Sequence, residues 1–131
     1  MAHTCKAAIL HCIDFRLGPS IKTWLEKEGL LGDCDIVSVA GATKTFDFPS
    51  AQLELSHKLH GTSTVILMNH TDCGAYGGRA AFDSDAEETE AHFAAMAAAK
   101  IALLEKVPGL DVRTILARLE EDGNVTFEER T

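Results

Sequence analysis

His70 and Cys73 lie three residues apart in a polar, glycine-punctuated segment, Asn69-His-Thr-Asp-Cys-Gly-Ala-Tyr-Gly-Gly78, directly after the apolar run Val65-Ile-Leu-Met68. Imidazole and thiolate are donors that suit zinc, yet two such residues arise easily by chance. A third donor, Cys12, closes another apolar run, Ala7-Ala-Ile-Leu-His11, with Asp14 and Arg16 just beyond it. Together Cys12, His70 and Cys73 supply three ligands and leave a fourth position open, the pattern of a catalytic rather than a closed structural zinc site. Zinc so held lowers the pKa of a bound water and provides a nucleophile near neutral pH. Two thiolates neutralise the dication formally, so that water should be less acidic than over three imidazoles, and activity should rise toward alkaline pH. Asp14 can accept the water's hydrogen bond, and Arg16 can orient that carboxylate by a bidentate pair.

The elements that must position these residues follow from the apolar runs. Strand one covers about Lys6 to Cys12. Gly18-Pro19-Ser20 opens a helix with Ile21, Trp24 and Leu25 at helical spacing, and Gly29 stops it. Strand two is Asp35 to Ala40. Pro49-Ser50 opens a helix to about His60, with Leu55 and Leu59 one turn apart and Gly61 as its cap. Strand three, Ser63 to Asn69, runs into the metal loop. Acidic residues from Asp83 to Glu90 complement the start of an Ala-rich helix reaching about Lys106. Pro108-Gly109 break it, Val112 to Leu119 is a fourth strand, and Asp122-Gly123 turns the chain toward a short antiparallel edge strand over Asn124 to Glu128. The alternation predicts an α/β fold: three layers, a mostly parallel sheet of order 2-1-3-4, and helices on both faces. In that order Cys12 and His70 end adjacent strands, where ligands collect in open parallel sheets.

With 131 residues and 46% hydrophobic content, the chain predicts one domain over residues 1–131 with an ordinary core. A net charge of −8, with no run among its 12 basic residues, argues against a nucleic-acid partner. No apolar stretch approaches membrane-spanning length and no signal peptide is visible, which predicts a cytoplasmic protein without a membrane partner. There the four cysteines are expected as ligands or buried thiols rather than disulfides.

The joint pattern Cys12-Ile-Asp14-Phe-Arg16 and His70-Thr-Asp-Cys73-Gly74 resembles the beta-class carbonic anhydrases, whose signatures are C-x-D-x-R and H-x-x-C-G. The resemblance runs from strand one to the last strand. Ser50-Ala-Gln-Leu-Glu54 resembles that family's S-x-E helix and Val39-Ala40-Gly41 part of its A-G-N segment, while His-Thr-Asp-Cys-Gly is most like the archaeal-type subgroup. The resemblance implies Zn2+ on Cys12, His70 and Cys73, and a catalytic dyad of Asp14 and Arg16. It also implies that Asp14 either meets the zinc-bound water or takes the fourth zinc position itself. The implied reaction is reversible hydration of carbon dioxide to bicarbonate and a proton, in a homodimer or an oligomer of dimers. The chain departs from the family over Ser38-Val-Ala-Gly-Ala42, where a basic residue and two amides are common, and at Phe15, where Ser is usual. Because strand one falls almost at the start of the sequence, a compact form lacking the family's N-terminal arm is expected. Two alternatives follow: hydrolysis of carbonyl sulfide or carbon disulfide, or a zinc-binding, catalytically silent structural or regulatory module.

Other reactive residues take plainer readings. Cys5 and Cys34 are expected as small, buried or half-buried residues without chemistry, His11 as structural, and His57 and His60, at a spacing that could ligate, as surface positions on a helix. Asp72 is expected to cap its own loop backbone. His92 titrates near neutrality and is a candidate proton relay on that ground alone. The glycines of the loop form neither a dinucleotide fingerprint nor a P-loop.

Overall fold

The computed structural model describes residues 3–131. Five strands form one sheet in the order β2-β1-β3-β4-β5, with β1 Ala7–His11, β2 Cys34–Ser38, β3 Thr64–His70, β4 Asp111–Leu119 and β5 Val125–Arg130. The first four are parallel and β5 is antiparallel to β4. Three longer helices join them: α1 Gly18–Lys27, α2 Asp47–His60 and α3 Asp85–Lys106. This is the expected α/β architecture with the expected order of the four parallel strands.

Side-chain alternation sorts the core into two layers. Ala8, Leu10, Val65, Leu67, Val112 and Leu116 pack with Leu53 of α2 and with Phe93, Met96, Ala99 and Leu103 of α3. On the other face Ala7, Ile9, Ile66, Met68, Ile115 and Ala117 pack with Leu17, Ile21 and Leu25 at and in α1. Many of these are wholly buried, the larger aliphatic side chains each contributing roughly 1.5–3 kcal/mol against exposure. α1 leads from β1 outward to β2, and α2 carries the chain back across the opposite face to β3. The connections therefore part between β1 and β3, which opens a crevice at their carboxyl ends.

Three details differ from the sequence expectations. Leu55 and Leu59 do mark a helix, but they are 43% and 62% exposed; the inward face of α2 uses Pro49, Ser50, Leu53 and Ser56. Helix α2 also begins at Asp47, two residues before Pro49, whose missing N–H costs nothing within the first turn. Strand β5 extends through Arg130 because its charges have cross-strand partners: Arg113 donates to Glu129 at 2.8 Å, and Arg118 to Glu128. Ser84 caps α3 by accepting from the Glu87 N–H at 3.1 Å. Among the described residues no helix is long and apolar enough to cross a membrane.

Candidate metal centre

The crevice between β1 and β3 brings Cys12, His70 and Cys73 together. One donor atom from each lies within 4.8 Å of the other two, all three residues are buried, and the two sulfurs are 3.9 Å apart. His70 Nδ1 sits 2.6 Å from the Thr71 carbonyl. A carbonyl only accepts, so Nδ1 carries the proton and Nε2 keeps its lone pair. That Nε2 is buried with no hydrogen-bond partner among the described residues. An unpartnered imidazole nitrogen facing two thiols is costly without a ligand and complementary to a soft or borderline cation, so these residues fit a metal. The Cys12 thiol is pushed far down, first by its hydrogen bond with Cys73 and then by the nearby His70 imidazole and the Gly41 N–H, against burial. Cys73 moves the other way, because Cys12 holds the negative charge of the pair and burial adds to the effect. A dication held here would displace the thiol protons of the pair.

Asp14 and Arg16 flank this group. Asp14 Oδ2 is 3.8 Å from His70 Nε2. Arg16 grips the carboxylate through Nε at 3.0 Å and Nη2 at 2.6 Å, while its backbone N–H donates to Oδ1 at 2.9 Å. These bonds hold the Asp14 carboxyl down to about 2 from an ordinary 3.8, although burial opposes the shift. Phe15, between them in sequence, is 88% exposed and projects to solvent, so it adds no bulk beside the carboxylate.

Asp72 caps the backbone of its own loop at Arg79 and also holds Arg16. Its carboxylate accepts from Arg16 Nη1 at 3.1 Å and from the Arg79 N–H at 2.8 Å, while its carbonyl accepts from Arg16 Nη2 at 3.0 Å. It adopts φ +56°, uncommon for a residue with a side chain. The Asp72 N–H in turn donates to Glu88 Oε2 at 2.8 Å. Glu88 is 1% exposed, with Arg79 Nε at 3.8 Å and His92 Nε2 at 3.7 Å. His92 Nδ1 accepts from Asn69, whose Oδ1 accepts from Thr43. The sequence reading missed this buried chain of Glu88, His92, Asn69 and Thr43. Its only sequence signal is the one-turn spacing of Glu88 and His92, masked by the acidic run around it. His92 is wholly buried and burial pushes its imidazole toward the neutral form, against the pull of Glu88. Thus buried, it anchors the loop through Asn69.

Gly41 brings a second loop against the metal loop. Its N–H lies 3.4 Å from Cys12 Sγ, its φ is +79°, and a Cβ there would sit 3.0 Å from that of Ala75. Gly41→Ala is expected to cost about 1–3 kcal/mol from strain and crowding, read as a lowered thermal midpoint. The remaining sequence candidates lie elsewhere. His11 is half-buried and donates from Nδ1 to the Cys12 carbonyl, in keeping with a structural role. His57 donates to the Thr62 carbonyl, and His60 pairs with Asp35, so His60 is no simple surface residue.

A family model described as "Putative carbonic anhydrase" matches residues 2–118. Structures similar to this chain include the carbonic anhydrase of Streptococcus mutans, at 27% identity and a TM-score of 0.59 over 96% of this chain and 82% of that one. They also include the beta-carbonic anhydrase CcaA, at 15% identity and a TM-score of 0.58 over 96% and 80%. One of two tetrameric beta-carbonic anhydrases from Sordaria macrospora matches at 13% identity and a TM-score of 0.57 over 99% and 84%. Among curated relatives, an uncharacterized protein of Rickettsia bellii is 31% identical, covering 86% of this chain and 76% of its own. The uncharacterized protein RC0076 of Rickettsia conorii is 29% identical, covering 86% and 67%. The fold is that of the beta-class carbonic anhydrases. The chain belongs to the carbonic anhydrase family of the matching model.

Proposed function

We propose that residues 1–131 act as one beta-carbonic-anhydrase-like unit, a carbonate dehydratase that interconverts carbon dioxide and bicarbonate. The observation that carries this reading is the convergence of Cys12, His70 and Cys73 beside a carboxylate clamped by Arg16. Cys12, His70 and Cys73 would hold Zn2+, which supplies a Lewis acid that makes water a nucleophile near neutral pH. Asp14 accepts a hydrogen bond from the reacting water and so fixes the direction of its lone pair. Both oxygens of Asp14 are engaged by Arg16, which favours this role over direct ligation of the metal. Arg16 keeps Asp14 charged, and Asp72 holds Arg16 from behind. The thiolate donors require reduced cysteines, the state that a cytoplasmic compartment maintains.

Because Asp14 is ionised well below neutrality, it is not the group that limits activity between pH 6 and 9. Asp14→Asn is expected to lower turnover without moving the midpoint of the pH–rate curve, checked by initial rates across that range. The same shift has a stability consequence. A depressed carboxyl pKa stabilises the fold fully above its ordinary value and loses that contribution as pH falls toward the folded value. Asp14 loses it between pH 3.8 and about 2, and Asp72, Glu128 and Glu129 are lowered in the same direction by their arginine partners. Thermal midpoints should hold down to about pH 4 and fall below it, less steeply in Asp14→Asn.

Substrate choice among small linear electrophiles is tested by assaying zinc-loaded protein with carbon dioxide, carbonyl sulfide and carbon disulfide side by side. Carbon dioxide is expected to be the preferred substrate; hydrolysis of a sulfur compound alone would replace this reading. The exposed Ile13 and Phe15 beside the site, at 64% and 88%, support a homodimer that covers them. Sedimentation at micromolar concentration should show a dimer, and a monomer at every concentration would refute it.

A further inference from the structure

The amino-terminal end of the sheet, opposite the candidate metal centre, carries a second cluster of donors that the reaction does not use. Cys5 leads into β1, Asp35 lies early in β2, and His60 ends α2 just before β3. One ligand atom from each lies within 4.8 Å of the other two, and all three residues are half-buried. Backbone bonds hold them in place: the Cys5 N–H donates to the His60 carbonyl at 3.0 Å, and Asp35 is in register with Ala8. His60 Nδ1 donates to Asp35 Oδ2 at 2.5 Å, and Ser56 donates to the same oxygen at 2.7 Å. Thr62 Oγ1 is 2.7 Å from Ser56 Oγ and 3.5 Å from Cys5 Sγ. The two hydroxyls form a polar backing of the kind that orients metal ligands.

We propose that Cys5, Asp35 and His60 form a second metal site, taking a borderline divalent cation of the zinc class. Thiolate, imidazole and carboxylate are the three donor types such an ion accepts. Donor atoms around a tetrahedral zinc stand roughly 3.3–3.8 Å apart, so closure asks side-chain shifts of about 1 Å. Binding replaces the Cys5 thiol proton, which leaves to water, and shifts the His60 ring proton from Nδ1 to Nε2 so that Nδ1 can ligate; no electron is transferred. The ion cross-links the lead-in to β1, the edge strand β2 and the end of α2, all at the end of the sheet away from Cys12. Cys34 is not in the set: its thiol bonds the Asp35 carbonyl and packs with the α1 face of the sheet.

Zinc content of the full chain after equilibration with Zn2+ and removal of excess tests this directly. Cys5→Ser is expected to carry one equivalent fewer than the unaltered protein, His60→Gln likewise, and Cys34→Ser the full content. Equal content in Cys5→Ser and the unaltered chain, with both folded by circular dichroism, overturns the proposal. A second measurement guards against misfolding: in Cys73→Ser, titrated Co2+ should still give a thiolate charge-transfer band that Cys5→Ser then abolishes. A band unaffected by Cys5→Ser overturns it equally. Failure of the Cys12, His70 and Cys73 assignment would appear instead as zinc content unchanged by Cys73→Ser.

Discussion

Cys73→Ser is expected to empty the Cys12–His70 centre of zinc and to bring carbon dioxide hydration down to the uncatalysed background. The serine hydroxyl is about the size of the thiol and keeps the loop's shape, but it is not a thiolate at neutral pH and leaves only two ligands for the metal. Cys73 is buried, and the carbonyl of this residue also accepts the Tyr76 and Gly78 N–H groups at 3.0 and 2.9 Å. The backbone bonds survive the substitution, so the fold should remain and the loss should fall on the metal. Zinc analysis together with thermal unfolding separates the two. A Cys73→Ser protein that keeps full zinc and full turnover would refute the ligand assignment.

The second large effect is expected at Glu88, far from the reacting atoms in sequence. Its buried carboxylate accepts the N–H of Asp72, a residue held at positive φ. Asp72 holds Arg16, and Arg16 holds Asp14. Glu88→Ala leaves the Asp72 N–H without its acceptor and His92 and Arg79 without their nearby charge. That should cost about 2–4 kcal/mol of stability. Glu88→Gln retains an acceptor for Asp72 and should recover much of that loss. Turnover is expected to fall about 10–100-fold in Glu88→Ala, as for loss of an outer-shell support. A role confined to folding predicts instead that the folded fraction of Glu88→Ala turns over normally, which rates normalised to folded protein will show.

The parts of the account legible in the sequence are those in which local chemistry and strand pattern coincide. Cys12, Asp14, Arg16, His70 and Cys73 stand just beyond apolar runs, and the run order places those strand ends side by side without knowledge of contacts. Residues whose role comes from distant partners were not legible. Asp72 reads as an ordinary loop aspartate until Arg16 is brought 56 positions back to it. Glu88 lies within an acidic helix start and looks solvated, yet it is 1% exposed because the metal loop folds over it. Leu55 and Leu59 show the converse: their spacing reports a helix correctly, but Ser56 takes an inward position because Asp35 and Thr62 satisfy its hydroxyl. Cys5 and His60 gain chemical interest only through Asp35, on a different strand.

The measurement that bears most directly on the central claim is stopped-flow hydration of carbon dioxide on protein of known zinc content, from about pH 6.5 to about pH 9. The account predicts turnover that rises with pH on protein holding zinc at the Cys12, His70 and Cys73 centre, and a marked fall in Asp14→Asn with zinc retained. Zinc held at that centre with no hydration at any pH in the range would contradict it.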